Sequence, residues 1–296
     1  AGLEVLHQRA AAGVDVEAFA QCVQRVLHAG VVQRHLAAGQ QFDAVDPLQR
    51  TLRFRVEHPD GIDFVVQQLQ PEGCVAAHRV DIEQATAEFA HSARLAVEAS
   101  FDGIELHAAN GYLLEQFLNA NVNTRDDAWG GSADKRNRFV LDVARATVAA
   151  IGAARVGIRV SPHGVFNGTG AFDGVEEQYL ALAHALGALK LAYLHLVDHS
   201  SMGAPEVPAA FKAKLRAAFG GSFIASGGLD RNSAEQVLKE GRGDLVAFGR
   251  AWLANPDLIE RMQAGLALNA PDAATFYTPG AKGYTDYERA EAVATA

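Results

Sequence analysis

From about residue 84 onward the hydrophobic pattern switches repeatedly between two periods. "ATAEFAHSARLAVEAS" (85–100) carries apolar residues at helical spacing, and "FDGIELH" (101–107) then reads as a strand. A helix is predicted near 132–150, with Ser132 in the N-cap position, followed by the strand "RVGIRVSP" (155–162), stopped by Pro162. The alternation continues with a helix near 174–188, a strand at 192–198, a helix near 207–218 and a strand at 222–228. A helix near 232–240, a strand at 244–250 and a last helix over roughly 256–266 complete it. Residues 101–117 begin as a strand and end as a helix, and they place His107, Asn110 and Tyr112 at the junction.

Short apolar strands separated by helices imply βα units and a parallel sheet. Such units build either an open doubly wound sheet or an eight-stranded barrel. A dinucleotide fold would place G-x-G-x-x-G after its first strand, and no such motif occurs. The glycine-rich strand ends come late instead, at Gly227-Gly228 and Gly249-Arg250, where barrels commonly build a phosphate site. The expected fold is therefore an α/β, TIM (β/α)8 barrel with an atypical N-terminal part. Residues 1–7 and 31–36 read as strands, 14–30 as a helix ended by Gly30, and 51–57 with 62–69 as an antiparallel hairpin. The domain expectation is one barrel over 1–296, with a divergent part at 1–80, a regular part at 81–288 and a tail at 289–296.

Composition narrows the function classes. The chain of 296 residues is 49% hydrophobic and 21% charged, which is ordinary for a soluble globular protein. A net charge of −9 points away from nonspecific binding to nucleic acid or anionic membrane, while leaving room for a local phosphate pocket. No run of 18 apolar residues occurs, and the N-terminus lacks a basic region followed by an apolar one, so neither a membrane span nor a signal peptide is expected. Cys22 and Cys74 have no C-x-x-C partner, which fits a reducing, cytoplasmic setting and no zinc site. The oligomeric state is not readable.

In a barrel, side chains at the C-terminal strand ends share one mouth. His107 and Asn110, at i and i+3 across the strand-to-helix corner, can grip one carbonyl oxygen, and Tyr112 can supply a proton. Taken singly, they also read as a satisfied core histidine, a capping asparagine and an amphipathic tyrosine. Gly228, Gly249 and Arg250 suit a phosphate cradle or plain tight turns. Arg159 inside a strand asks for a partner, either a bound anion or an electron-rich ring. His195, Asp198 and His199 have the composition of a metal set, but His195 and Asp198 should face opposite sides of their strand. Asp126 and Asp127 are expected to pair with Arg136 and Arg138. No G-x-S-x-G elbow supports a serine hydrolase.

Seven ordered segments carry a family resemblance: "FDGIELHAANGYLLEQFL", "NTRDDAWGGSADKRNRF", "VGIRVSP", "AYLHL", "IASGG", "LVAFGRAWLANPDL" and "FYTPGAKGYTDY". Over about residues 80–288 the chain resembles the Old Yellow Enzyme family, in particular its bacterial ene-reductases that also reduce maleimides, nitrate esters and nitro compounds. The resemblance implies FMN as cofactor, NAD(P)H as reductant and a small-molecule enone or nitro compound as substrate. It further implies that His107 and Asn110 polarise the substrate carbonyl and that Tyr112 protonates the α-carbon. Arg159 would lie beside the flavin pyrimidine. Gly227, Gly228, Phe248, Gly249 and Arg250 would bind the cofactor around its phosphate, and Tyr277 would line the substrate pocket. The family's first-strand Pro-Leu-Thr segment and third-strand Q-L-W-H-x-G-R are not found intact. Two other readings therefore stay open: a flavin-free barrel remnant that binds a ligand or partner without turnover, and a phosphate-binding aldolase. The aldolase would want a strand-end lysine as Schiff base, and neither Lys190, before its strand, nor helical Lys239 is so placed.

Overall fold

A computed structural model describes residues 79–276, 278 and 280–290. The expected elements at 1–7, 14–30, 31–36, 51–57 and 62–69, both cysteines and Tyr277 lie outside the described residues. Within them, helix α1 (Arg79–Glu98) leads to strand β1 (Ile104–Ala108), the short helix α2 (Leu113–Leu118) and helix α3 (Ala133–Ile151). Then follow β2 (Val156–Val160), α4 (Val175–Ala188), β3 (Tyr193–Val197), α5 (Ala209–Phe219), β4 (Ser222–Ser226), α6 (Arg231–Lys239) and β5 (Leu245–Ala247). Helices α7 (Arg250–Ala254) and α8 (Leu258–Ala264) close the series.

The five strands pair in parallel and in chain order, β1-β2-β3-β4-β5. A doubly wound sheet would reverse its order at a switch point. This order never reverses, so right-handed crossovers place every connecting helix on one face, as along the wall of a (β/α)8 barrel. The register gives the two faces different jobs. Leu106, Ala108, Val156, Ile158, Val160, Leu194, Leu196 and Phe223 belong to the large cluster that includes Phe139, Val143, Tyr179, Leu182, Phe211 and Leu215 from the helices. The opposite face carries Glu105, His107, Gly157, Arg159, Tyr193, His195, Ile224 and Ser226, the alternate residues of the same strands.

Two boundaries differ from the sequence reading for physical reasons. The first strand starts at Ile104, because Ser100 turns left-handed (φ 68°) and Gly103 presses on Arg155; a Cβ there would stand 2.5 Å from the Arg155 carbonyl oxygen. The last strand ends at Ala247 and Arg250 already opens α7, with Gly249 at its N-cap. Ser132 does occupy the N-cap of α3, but its side chain makes no capping bond; its carbonyl accepts from Arg136 N instead. The loop before α3 is held by an ion pair between Arg125 and Asp127, correcting the expected pairing with Arg136 and Arg138. Arg136 donates to Gln178 Oε1 at 2.8 Å and Arg138 to the Ala128 carbonyl at 3.5 Å. Both arginines are thus occupied by neutral oxygens.

Candidate active site

All five strands end along one edge: the register aligns Ala108 with Val160, Val160 with Leu196, Val197 with Ser226, and Ser226 with Ala247. The segments leaving that edge carry the candidate residues. After β1 the chain turns through two consecutive left-handed residues, Asn110 (φ 61°) and Gly111 (φ 72°). An asparagine tolerates this backbone better than most residues, and glycine is needed next because a Cβ would run into the Phe166 carbonyl.

The turn is locked from below and beside. Asn110 N donates to Ser161 Oγ (2.9 Å), and Ser161 Oγ donates to Glu115 Oε1 (2.8 Å). Gly111 N donates to Glu115 Oε2 (2.5 Å), and Gln116 Nε2 to the Gly111 carbonyl (2.9 Å). Asn167 Nδ2 donates to the Asn110 carbonyl at 2.9 Å. Glu115 is 1% exposed. Burial pushes its carboxyl up to about 7, against the opposing pull of the Gly111 N–H, Ser161 and Tyr179.

Above this frame sit three polar side chains with capacity to spare. The rings of His107 and Tyr112 lie 5.1 Å apart, tilted by 48°. Burial, then the positive charge of Arg159, lowers the His107 pKa to about 4, so the ring is neutral near pH 7 and offers a single N–H. Among the described residues, neither the His107 ring nor the Tyr112 hydroxyl hydrogen-bonds to another protein group. Asn110 Oδ1 faces His199 Nε2 at 2.8 Å, while Asn110 Nδ2 donates to no described residue.

Arg159 stands between His107 and His195 in the register. Its charge reaches His107, His199 and Glu105. One layer down, His195 Nδ1 lies 2.9 Å from Glu105 Oε2 and its Nε2 2.9 Å from Ser226 Oγ. Burial alone would raise the Glu105 pKa, but the His195 hydrogen bond, Arg159 and the Tyr193 hydroxyl outweigh it and leave it lowered. This network gives each of the three residues with the composition of a metal set a different partner. His195 points to Glu105, Asp198 pairs with Lys212 Nζ at 2.6 Å, and His199 turns to Asn110. No metal-holding group of His, Cys, Asp or Glu occurs among the described residues.

The pairing of Ser226 with Ala247 lets Gly227-Gly228 and Phe248-Gly249-Arg250 leave the sheet side by side. Gly227 (φ 128°) and Gly228 (φ 65°) admit no side chain: a Cβ would collide with the Asp198 carbonyl in the first case and stand 2.6 Å from Ser201 Oγ in the second. Gly249 instead faces open space, with nothing within 4 Å of a Cβ, and Arg250 beside it is exposed.

Four residues of this site were not singled out for it from sequence. Glu115 had a readable signal, an acid inside the otherwise apolar "LLEQFL". His199 was visible only as a member of the metal set. Ser161 and Asn167 carried no signal of their own, since their partners lie 51 and 57 residues away.

Comparison with known proteins identifies the family of the chain. The NADH:flavin oxidoreductase / NADH oxidase family matches residues 56–269. A chanoclavine-I aldehyde reductase of Penicillium roqueforti (strain FM164) is 46% identical over 208 residues, covering 68% of this chain and 56% of its own length. A solved structure of morphinone reductase in complex with tetrahydroNAD superposes with a TM-score of 0.69 at 35% identity, over 82% of this chain and 66% of that one. An Old Yellow Enzyme homologue from Zymomonas mobilis superposes with a TM-score of 0.67 at 31% identity, over 72% of this chain and 60% of that one. The chain thus spans about 56–62% of the length of the first curated relatives it matches. With five consecutive βα units, a left-handed H-x-x-N corner at the strand-end edge and this match over more than half its length, the chain belongs to the NADH:flavin oxidoreductase / NADH oxidase family, that of Old Yellow Enzyme.

Proposed function

We propose that this protein is an FMN-dependent NAD(P)H oxidoreductase that reduces the C=C bond of α,β-unsaturated carbonyl compounds, with nitro compounds and nitrate esters as further electrophiles. One observation carries the reading: a neutral His107, an Asn110 amide with its Nδ2 unspent and a Tyr112 ring 5.1 Å from that of His107 share one corner at the strand-end edge. Relatives named as reductases of morphinone and of chanoclavine-I aldehyde, both carbonyl compounds by name, support the substrate class.

The described residues fit FMN. Gly249 leaves the space that a phosphate needs, and the exposed Arg250 next to it supplies charge. Gly227 and Gly228 keep the backbone of the neighbouring strand end bare of side chains. Arg159 brings a cation into the barrel's inner face, where it would balance negative charge on the reduced cofactor. When bound, FMN supplies the hydride that NAD(P)H has given up.

The protein's own part is to hold an oxygen and deliver a proton. His107 N–H and Asn110 Nδ2–H donate to the substrate carbonyl oxygen and stabilise the negative charge that grows there as the β-carbon is reduced. The Ser161–Glu115 frame fixes the backbone of Asn110 beforehand, so the turn that carries this donor need not reorganise at that moment. Tyr112 gives its hydroxyl proton to the α-carbon, completing the saturation of the double bond.

The visible spectrum of the purified protein tests this. A stoichiometric flavin band should bleach with NADPH under argon and return on addition of cyclohexenone. A colourless protein that takes up no added FMN would leave the flavin-free reading standing.

A further inference from the structure

We propose that His199 is a positioning residue that sets which way round the Asn110 amide is held; the consequence for substrate rests on the function proposed above. An asparagine amide has an acceptor end and a donor end, related by a half-turn about its last bond. Only one of the two orientations offers N–H groups to a carbonyl. The backbone of Asn110 is immobilised by Ser161 Oγ at its nitrogen and Asn167 Nδ2 at its oxygen, and neither contact touches the side-chain amide. His199 does: its Nε2 lies 2.8 Å from Asn110 Oδ1. Oδ1 can only accept, so Nε2 carries the proton and the ring is in its Nε2–H form. That bond occupies the acceptor end and leaves Nδ2 for the substrate.

His199 is built for a fixed orientation. It is 8% exposed, its ring meets Phe166 edge-on at 4.8 Å and 76°, and its carbonyl accepts from Met202 N (2.8 Å) and Ala204 N (3.3 Å) in the turn after β3. Burial, with the Arg159 charge added, disfavours a second proton on the ring, while Asp198 pulls weakly the other way. A neutral His199 has one N–H to give, and the geometry directs it to Asn110. Reversal of the amide would set its N–H against Nε2 and require the ring to carry its proton on Nδ1 instead, so the orientation of the amide and the tautomer of His199 are locked together.

The first measurement is made on the protein labelled with nitrogen-15 at histidine, without cofactor or ligand. The His199 resonances, assigned by their loss in His199→Phe, should show the Nε2–H tautomer; an Nδ1–H tautomer overturns the inference irrespective of any activity. The second is calorimetric titration of the FMN-loaded protein with 4-chlorophenol, whose phenolate oxygen mimics the charged carbonyl oxygen. His199→Phe keeps a ring against Phe166 but loses the donor, and it should weaken binding about tenfold with an unchanged unfolding midpoint. His199→Gln keeps a donor at similar reach and should stay within about threefold of the parent. Equal affinity of parent and His199→Phe, or equal loss in both variants, overturns the inference. A parent that takes up FMN but binds no 4-chlorophenol would instead sink the carbonyl grip of the proposed function, and the tautomer alone would then decide the orientation of the Asn110 amide.

Discussion

Tyr112 shows how much one residue's neighbourhood decides. It is the N-cap of α2 with an extended backbone (φ −82°, ψ 177°), so its side chain leaves the helix axis while its carbonyl accepts from Gln116 N. Its ring is tied to His107 and its hydroxyl to no described residue. Tyr112→Phe should therefore leave reduction of bound FMN by NADPH within about threefold while slowing enone reduction by roughly a hundredfold, in the range of a lost general acid. Stopped-flow measurement of the two half-reactions separates them, and comparable slowing of both would remove Tyr112 from its proposed role as proton donor. His107, Asn110 and Tyr112 were readable in the sequence because they share one turn. His199 was not readable as their partner, because the hydrogen bond that joins it to Asn110 spans 89 residues.

At the scale of elements, the strands had to solve a packing problem that their alternation does not state. Gly157 in β2 pairs with Glu105 in β1 and Tyr193 in β3. The Tyr193 ring fills the volume that a Gly157 side chain would take, and a Cβ there would overlap the ring. Glycine weakens a strand by entropy, and here it makes room for a buried tyrosine whose hydroxyl helps hold Glu105 ionised. Gly157→Ala should destabilise the protein by about 1–3 kcal/mol through overpacking. Chemical denaturation measures this, and a stability equal to that of the parent would show that the ring is free to move aside. The strand-and-helix order was legible from the period of the apolar residues. The start at Ile104 and the stop at Ala247 were not, because a close contact of Gly103 and the start of α7 determine them.

For the molecule as a whole, the buried frame of the site has a cost that pH reveals. Glu115 has a pKa of about 7 when folded and an ordinary carboxylate value near 4.5 when unfolded. The folded state thus holds this proton more tightly. Its contribution to stability is fully present below about pH 4.5 and lost as pH rises through 7. Two and a half pKa units correspond to about 3 kcal/mol. Glu105 and Asp198, both lowered, act in the opposite sense and lose their contribution as pH falls. Comparison with Glu115→Gln isolates the first effect. Between pH 5 and 8 the parent should lose about 2–3 kcal/mol relative to the variant, whatever the variant's absolute stability. Parallel stability curves would mean that Glu115 is already ionised throughout.

The amino-acid sequence by itself determined what local physics can determine. The hydrophobic period set the order of strands and helices over 84–266, and the contiguous corner at 107–112 displayed its donors and its tyrosine. The late glycines at 227, 228 and 249 marked the strand ends that suit a phosphate. Only the tertiary structure decided how distant segments meet. The unreversed strand order distinguished a barrel wall from a doubly wound sheet. The parallel register placed His107, Arg159 and His195 in one row, and tertiary contacts gave His195, Asp198 and His199 three separate partners. Glu115, Ser161 and His199 gained their roles from hydrogen bonds closed across the site. The physical reason is one of range: periodicity and turn geometry act over a few residues, whereas the orientation of an amide and the charge of a buried acid depend on neighbours that only the closed fold supplies.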